Sequence, residues 1–292
     1  MPPEAGTLRA VIATGERALA AGPHPERARQ DVETLLLHIL GREHPERNRA
    51  WLLANPLGVL MPGLEAEFEA FVARRVAGEP IQYILGQTEF FGLPFEVAPG
   101  VLIPRPETEH LVEEAIRLRG GIPRPQIADI GTGSGAIAVA LARALPEAQL
   151  WATDLSVKAL EVARHNACRN EVAGRITFLE GDLVTPLADG RFDLIASNPP
   201  YVPLADRDTL SVEVRDHEPH TALFAGLDGL DIYRRLIPEA HPRLVSGGWL
   251  VLEIGYGQQP AIQALLQSAG FGGIHFIHDY QGIPRVACAQ RE

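Results

Sequence analysis

Apolar residues recur every three or four positions through four runs near the start of the chain: TLRAVIATGERALAAG, PERARQDVETLLLHIL, ERNRAWLLA and PGLEAEFEAFVARRVAG, with Gly or Pro between them. That spacing lays one apolar stripe along each helix, so residues 1–85 are expected to form a small helical domain. From Glu89 the pattern changes. In EFFGLPFEVAPGVLIP, short apolar runs are broken by Gly92, Pro94 and Gly100, which predicts a hairpin, with residues 86–105 as the link between two domains. From Pro106 onward, continuous apolar runs alternate with helical spacing. Strands are expected at QIADIG, QLWATDL, RITFLEGD, FDLIASN, GWLVLEIG, IHFIHDY and RVACAQ, with helices near 135–145, 156–170, 229–245 and 258–269. Residues 106–292 should therefore form an α/β domain, a doubly wound, Rossmann-like parallel sheet covered by helices on both faces. Too few residues separate the last two strands for a crossover, so these must run antiparallel.

Composition narrows the function. The chain has 292 residues, 46% hydrophobic and 22% charged, which suits two folded domains. Residues 1–22 contain Glu4, Arg9, Glu16 and Arg17 and no uninterrupted apolar run for export, and nothing later approaches a transmembrane span. A cytoplasmic protein with no membrane partner is expected. Cys168 and Cys288 stand far apart, which fits reduced thiols and excludes a cysteine-based metal site. His217 and His220 in HEPH are interrupted by Pro219 and lack a third ligand, so no metal is expected there either. Net charge is −11, and residues 1–85 alone carry 9 Arg against 11 Asp and Glu. Such a surface repels phosphate backbones, so no direct nucleic-acid partner is expected. Lys158 is the only lysine, which removes P-loop hydrolysis and Schiff-base chemistry.

Three motifs carry candidate chemistry. In DIGTGSGAIA, Asp129 to Ala138, the glycines allow a tight turn against which a ligand can lie near a helix N-terminus. Asp154 ends the next strand, where a carboxylate can accept from both hydroxyls of a ribose. NAD and S-adenosylmethionine both have that ribose, and both stay open at this point. Asp182, after the third strand, adds an acid at the same carboxyl edge; otherwise it is a turn residue. Finally, LIASNPPYVP runs an apolar strand into Asn198, Pro199, Pro200 and Tyr201. The prolines make a stiff, extended exit beside the glycine loop. There the Asn198 side-chain oxygen and the Pro199 carbonyl can hold the two N–H groups of a conjugated amino nitrogen, with Tyr201 stacked on its planar group. Glu253 in LEIG either lines the crevice or simply ends its strand, and the charged segment PLADRDTLSVEVRDHEP reads as a solvated loop covering the substrate entrance.

Together, IPRPETEHLVE, DIGTGSGAIA, SNPPYVP, EVRDHEPHTALFAGLDGLDIYRRL and LEIG resemble the HemK-type protein-(glutamine-N5) methyltransferases, which modify the glutamine of the Gly-Gly-Gln motif in bacterial peptide chain release factors. DNA adenine-N6 methyltransferases share Asn-Pro-Pro-Tyr, so a DNA or RNA amino-methyltransferase is the alternative. The resemblance implies S-adenosylmethionine as cofactor, held by Gly131, Thr132, Gly133, Ser134, Gly135, Asp154, Leu183 and Asn198. In methyltransferases using this cofactor an acid at Asp182 often receives the adenine amino group, and Leu183 stands where some relatives carry Trp. Arg105 matches the PRPETE loop over the cofactor. Asn198, Pro199, Pro200 and Tyr201 would hold the glutamine, with Asn198, Pro199 and Tyr201 carrying the catalysis. The helical domain would recognise the release factor, and a monomer is expected.

Overall fold

A computed structural model describes residues 6–188 and 190–292. Five helices come first: α1 (Leu8–Ala20), α2 (Ala28–Gly41), α3 (Arg49–Ala54), α4 (Pro62–Val76) and α5 (Ile81–Leu85). The hairpin β1 (Gln87–Phe90) and β2 (Leu93–Glu96) follows, then α6 (Glu109–Arg119). Strands and helices then alternate through β3 (Gln126–Ile130), α7 (Ala136–Ala144), β4 (Gln149–Asp154), α8 (Val157–Arg169), β5 (Ile176–Glu180) and β6 (Phe192–Ser197). After two short helices, α9 (Val212–His217) and α10 (His220–Leu223), come α11 (Asp231–Ala240), β7 (Leu244–Glu253), α12 (Gln259–Ser268), β8 (Phe271–His278) and β9 (Pro284–Arg291).

The chain divides into two compact units. One holds the chain up to Gly86 together with Ser211–His217; the other holds Gln87–Leu210 and Glu218–Glu292. Within the helical unit, Val32, Leu35, Leu36 and Ile39 of α2 are buried against Val11 and Ile12 of α1 and Phe68 of α4. Gly15 explains how closely these helices approach, since a Cβ there would lie 3.0 Å from Phe68 and 3.1 Å from Val32. Thr7 caps α1 and Asn48 caps α3, each accepting from a backbone N–H three residues on. Arg75 is buried at 2% exposure, its Nε donating to Asp31 at 2.6 Å and its Nη1 pairing with Glu213 of α9. The segment expected to be a solvated loop thus includes a helix, α9, held in this unit by a buried ion pair.

In the second unit, seven strands form one sheet in the order β5-β4-β3-β6-β7-β9-β8. All are parallel except β9, which runs antiparallel to both β7 and β8. Ile127, Leu194 and Val251 share one core with Leu111 of α6 and Leu141 of α7. Ile130, Ile195 and Leu250 share the other with Tyr233 of α11 and Ile262 of α12. Phe90 and Phe95 of the hairpin lie in the α6–α7 core, at 2% and 0% exposure. This corrects the reading of residues 86–105 as a linker, because two buried aromatic rings make the hairpin part of the sheet unit. Strands β7 and β8 also begin earlier than their apolar runs indicate; Gly247, Gly248, Gly272 and Gly273 dilute the alternation there.

Candidate active site

Strand register brings the chemistry to one edge. Ile130 pairs with Thr153 and with Ser197, and Ser197 pairs with Leu252. The following residues, Gly131, Asp154, Asn198 and Glu253, therefore reach the carboxyl ends of four adjacent strands together, where the strand order reverses between β3 and β6. A pocket of about 220 Å³ opens at this edge. Arg105, Gly131, Thr132, Gly133, Ser134, Asp154, Asp182, Leu183, Asn198, Pro199 and Pro200 all line it.

Gly135 and Tyr201 are absent from that lining. Gly135 faces α8: a Cβ on it would stand 3.0 Å from Ala163, so its lack of a side chain lets α7 and α8 pass closely. The cradle belongs to Gly131 and Gly133, whose φ values of +71° and +55° favour glycine and where a Cβ would meet no protein atom within 4 Å. The Gly133 N–H donates to Asp154 Oδ2 and the Ser156 N–H to Oδ1, both at 2.8 Å. Asp154 therefore pins the loop and still has lone pairs facing the pocket. Its burial raises its pKa, opposed by those backbone N–H groups. Asp182 receives Arg235 of α11 at 2.5 Å. Leu183 takes a left-handed φ of +48°, and its carbonyl accepts the Thr153 hydroxyl at 2.9 Å.

The Asn198–Tyr201 segment is tied down along its length. Ser197 Oγ donates to the Ile130 carbonyl at 2.6 Å, and Gln258 Nε2 donates to the Tyr201 carbonyl at 3.0 Å. Asn198 Nδ2 donates to Thr108 Oγ1 at 3.0 Å. The Tyr201 ring packs beside Gly255 and its hydroxyl donates to Glu253 Oε1 at 3.2 Å. Arg105 donates to Glu218 Oε2 at 2.6 Å, and Glu218 is itself buried. Thr108, Glu218 and Arg235 were not foreseen from the sequence. The first two lie inside the PRPETE and HEPH strings, so the motifs marked the place but not which side chain turns inward.

Two carboxyl groups here are wholly buried and pushed up to about 7, chiefly by loss of water: Asp129, which accepts from Thr132 and the Ala138 N–H, and Glu253. An unfolded glutamate releases its proton near 4.5, so between 4.5 and 7 the native state holds a proton that the unfolded chain has lost. Stability contributed by this group is therefore highest below 4.5 and falls as pH rises to 7. Glu253→Gln is expected to flatten that decline, by roughly 1 kcal/mol per pH unit across the window, in denaturant titrations. A variant with the wild-type slope would contradict the assignment.

A second titratable cluster lies outside the pocket. Donor atoms of Glu114, His275 and Cys288 lie within 4.8 Å of one another, a grouping not visible from cysteine spacing. The Glu114 carboxylate is already met by Arg117 at 2.5 and 2.7 Å and by His275 at 3.0 Å, while burial holds the Cys288 thiol far above its usual pKa. The Glu114–His275 contact makes it a hydrogen-bonded strut between α6 and the β8–β9 pair.

The family model described as the methyltransferase small domain matches residues 109–213, and that described as the PrmC N-terminal domain matches residues 10–86. A methyltransferase from Pyrococcus furiosus shares the fold at TM-score 0.52 and 19% identity, over 79% of this chain and 99% of that one. So does the T. thermophilus 16S rRNA N2 G1207 methyltransferase RsmC, solved with AdoMet and guanosine, at TM-score 0.54 and 21% identity, over 70% and 50%. Fold and site thus define a methyltransferase of the doubly wound α/β class. The release factor glutamine methyltransferase of Geobacter sulfurreducens is 45% identical over 284 residues, covering 97% of this chain and 96% of its own length. That of Koribacter versatilis is 38% identical, covering 98% and 99%. The chain belongs to the release factor glutamine methyltransferase family.

Proposed function

We propose that this enzyme transfers a methyl group from S-adenosylmethionine to the side-chain nitrogen N5 of the glutamine in the Gly-Gly-Gln motif of peptide chain release factors. The observation that carries this reading is the Asn198 amide, whose nitrogen is occupied by Thr108 and whose oxygen is thereby directed away from it, as an acceptor at the pocket wall. The cofactor fits the residues present: the open glycine cradle and the Asp154 carboxylate beside it suit a nucleoside with two ribose hydroxyls. When bound, S-adenosylmethionine supplies an electrophilic methyl group. Asp154 would accept the ribose hydroxyls, Asp182 and Leu183 would meet the adenine, and Arg105, held by Glu218, would close the near side.

A glutamine amide nitrogen is a poor nucleophile because its lone pair is delocalised into the carbonyl. Asn198 Oδ1 and the Pro199 carbonyl would each accept one of its N–H groups, rotating the lone pair toward the transferred carbon. Pro199 and Pro200 keep these acceptors in place, since misplacement by about 1 Å can cost 100-fold. Burial and Glu253 hold the Tyr201 phenol far above its ordinary pKa, so it is a neutral O–H whose ring can cover the substrate amide. The nitrogen becomes acidic only as it gains the methyl, so no base is needed beforehand.

We assign the helical unit to recognition of the release factor, because one glutamine must be chosen among many and a single side-chain pocket cannot do so. No helix among the described residues is long and apolar enough to cross a membrane; a monomer acting in the cytoplasm, without direct contact to nucleic acid, completes the reading. The test is mass spectrometry of release-factor peptides after incubation with labelled cofactor. One methyl on the Gly-Gly-Gln glutamine is expected, whereas label entering adenine of DNA or RNA instead would refute the proposal. Asp154→Ala is expected to weaken cofactor binding by about 1.5–3 kcal/mol in calorimetry, the scale for lost hydrogen bonds to a charged group. Unchanged affinity would remove Asp154 from the site.

A further inference from the structure

Glu253 Oε2 lies 2.6 Å from Thr108 Oγ1, and both residues are buried, at 2% and 3% exposure. Above pH 7, where the buried Glu253 carboxyl is ionised, it only accepts, so the single hydroxyl proton of Thr108 is committed to Glu253. Toward Asn198, 3.0 Å away on its other side, Thr108 Oγ1 can then only accept. A flipped Asn198 amide would set its oxygen against a hydroxyl with no proton left to give, an unpaired buried contact of the costly kind. The same carboxylate receives the Tyr201 hydroxyl on Oε1, while the Glu253 backbone carbonyl accepts the Tyr233 hydroxyl at 2.6 Å.

We propose that Thr108 and Glu253 are positioning residues that fix the direction of the Asn198 amide, so that its oxygen and not its nitrogen faces the substrate. The proposal rests on the reading in which Asn198 holds the glutamine amide. The distinction is chemical: a glutamine presents two N–H donors, which an asparagine oxygen accepts and an asparagine nitrogen repels. Glu253 thereby orders two groups through its two oxygens, the amide of Asn198 through Thr108 and the ring of Tyr201 directly. A rigid proline-bounded backbone alone cannot do this, because the two ends of an amide differ little in size.

Kinetics and side-chain amide exchange test it together. Thr108→Val keeps the shape of the side chain and removes the relay, and is expected to lower kcat about 10- to 100-fold while KM for the release factor changes by less than about threefold. Thr108→Ser restores the hydroxyl and should recover most of kcat. In protein labelled with ¹⁵N at asparagine, the Asn198 side-chain N–H signals should exchange slowly in the wild type and the Ser variant, and as fast as an exposed asparagine in the Val variant. Wild-type kcat in Thr108→Val, a Ser variant no better than Val, or fast Asn198 exchange in the wild type would each overturn the relay. The wild-type exchange rate needs no variant to fold and no methylation to occur. If the wild type never modifies the Gly-Gly-Gln glutamine, that failure falls on the substrate assignment, and the exchange rate still decides the relay.

Discussion

Asn198→Ala is expected to lower kcat on an intact release factor by about 100-fold or more while leaving most of the affinity for that protein. The size follows from removing one preorganised polar partner from a site poor in water. The split between kcat and KM follows from the proposed roles, in which remote contacts would supply binding and Asn198 would act on the reacting nitrogen. Asn198→Asp should fail as well. It would place a second carboxylate on Thr108, whose one proton already goes to Glu253, so two acceptors would compete for it in a buried setting. Tyr201→Phe should be milder, since the ring remains and only the 3.2 Å hydroxyl contact to Glu253 is lost. Single-turnover rates at saturating release factor separate the three, and a wild-type rate in Asn198→Ala would dismiss the mechanism.

Arg75→Met is expected to destabilise the helical unit by about 3–5 kcal/mol, the range for removing one partner from a buried ion pair. Arg75 is only 2% exposed, and its guanidinium faces Asp31, Glu213 and the Glu79 carbonyl at once. Methionine fills much of the same volume but leaves two carboxylates nearly shielded from water without a cation between them. Trp51 is the one tryptophan in this unit, the others being Trp151 and Trp249, so its fluorescence in urea follows this unit. An unshifted midpoint would show that water already compensates the charges. Where the unit still folds, KM for the release factor should rise while cofactor affinity holds.

Much of the architecture was legible because period and breakers agreed. The four helical runs, the alternation after Pro106 and the antiparallel final strand all follow from spacing and turn residues, and all appear in the fold. Short elements were not legible: Ile81–Leu85 and Val212–His217 are too brief to show a helical stripe, and tertiary contacts hold them. At the pocket, the glycines and the Asn-Pro-Pro-Tyr string announced themselves because backbone geometry demands those residues. Thr108 did not, because a threonine before a helix has an ordinary local role, and Glu253 read equally as lining the crevice or as ending its strand. Only the folded structure, which seats the turn before α6 against the end of β7, shows that residues 145 apart in sequence form one hydrogen bond.

Ser211–His217 also governs when the protein can finish folding during synthesis. Arg75 and Asp31 leave the ribosome early, yet Glu213 follows only after β1 through β6 have been made. Nascent chains ordinarily complete an N-terminal unit before the next begins. Here the first unit waits for the second, carrying a half-matched arginine until six strands have emerged. Arrest of translation anywhere between Gly86 and Ser211 should therefore yield a helical unit more readily cut by protease than the same unit released with the full chain.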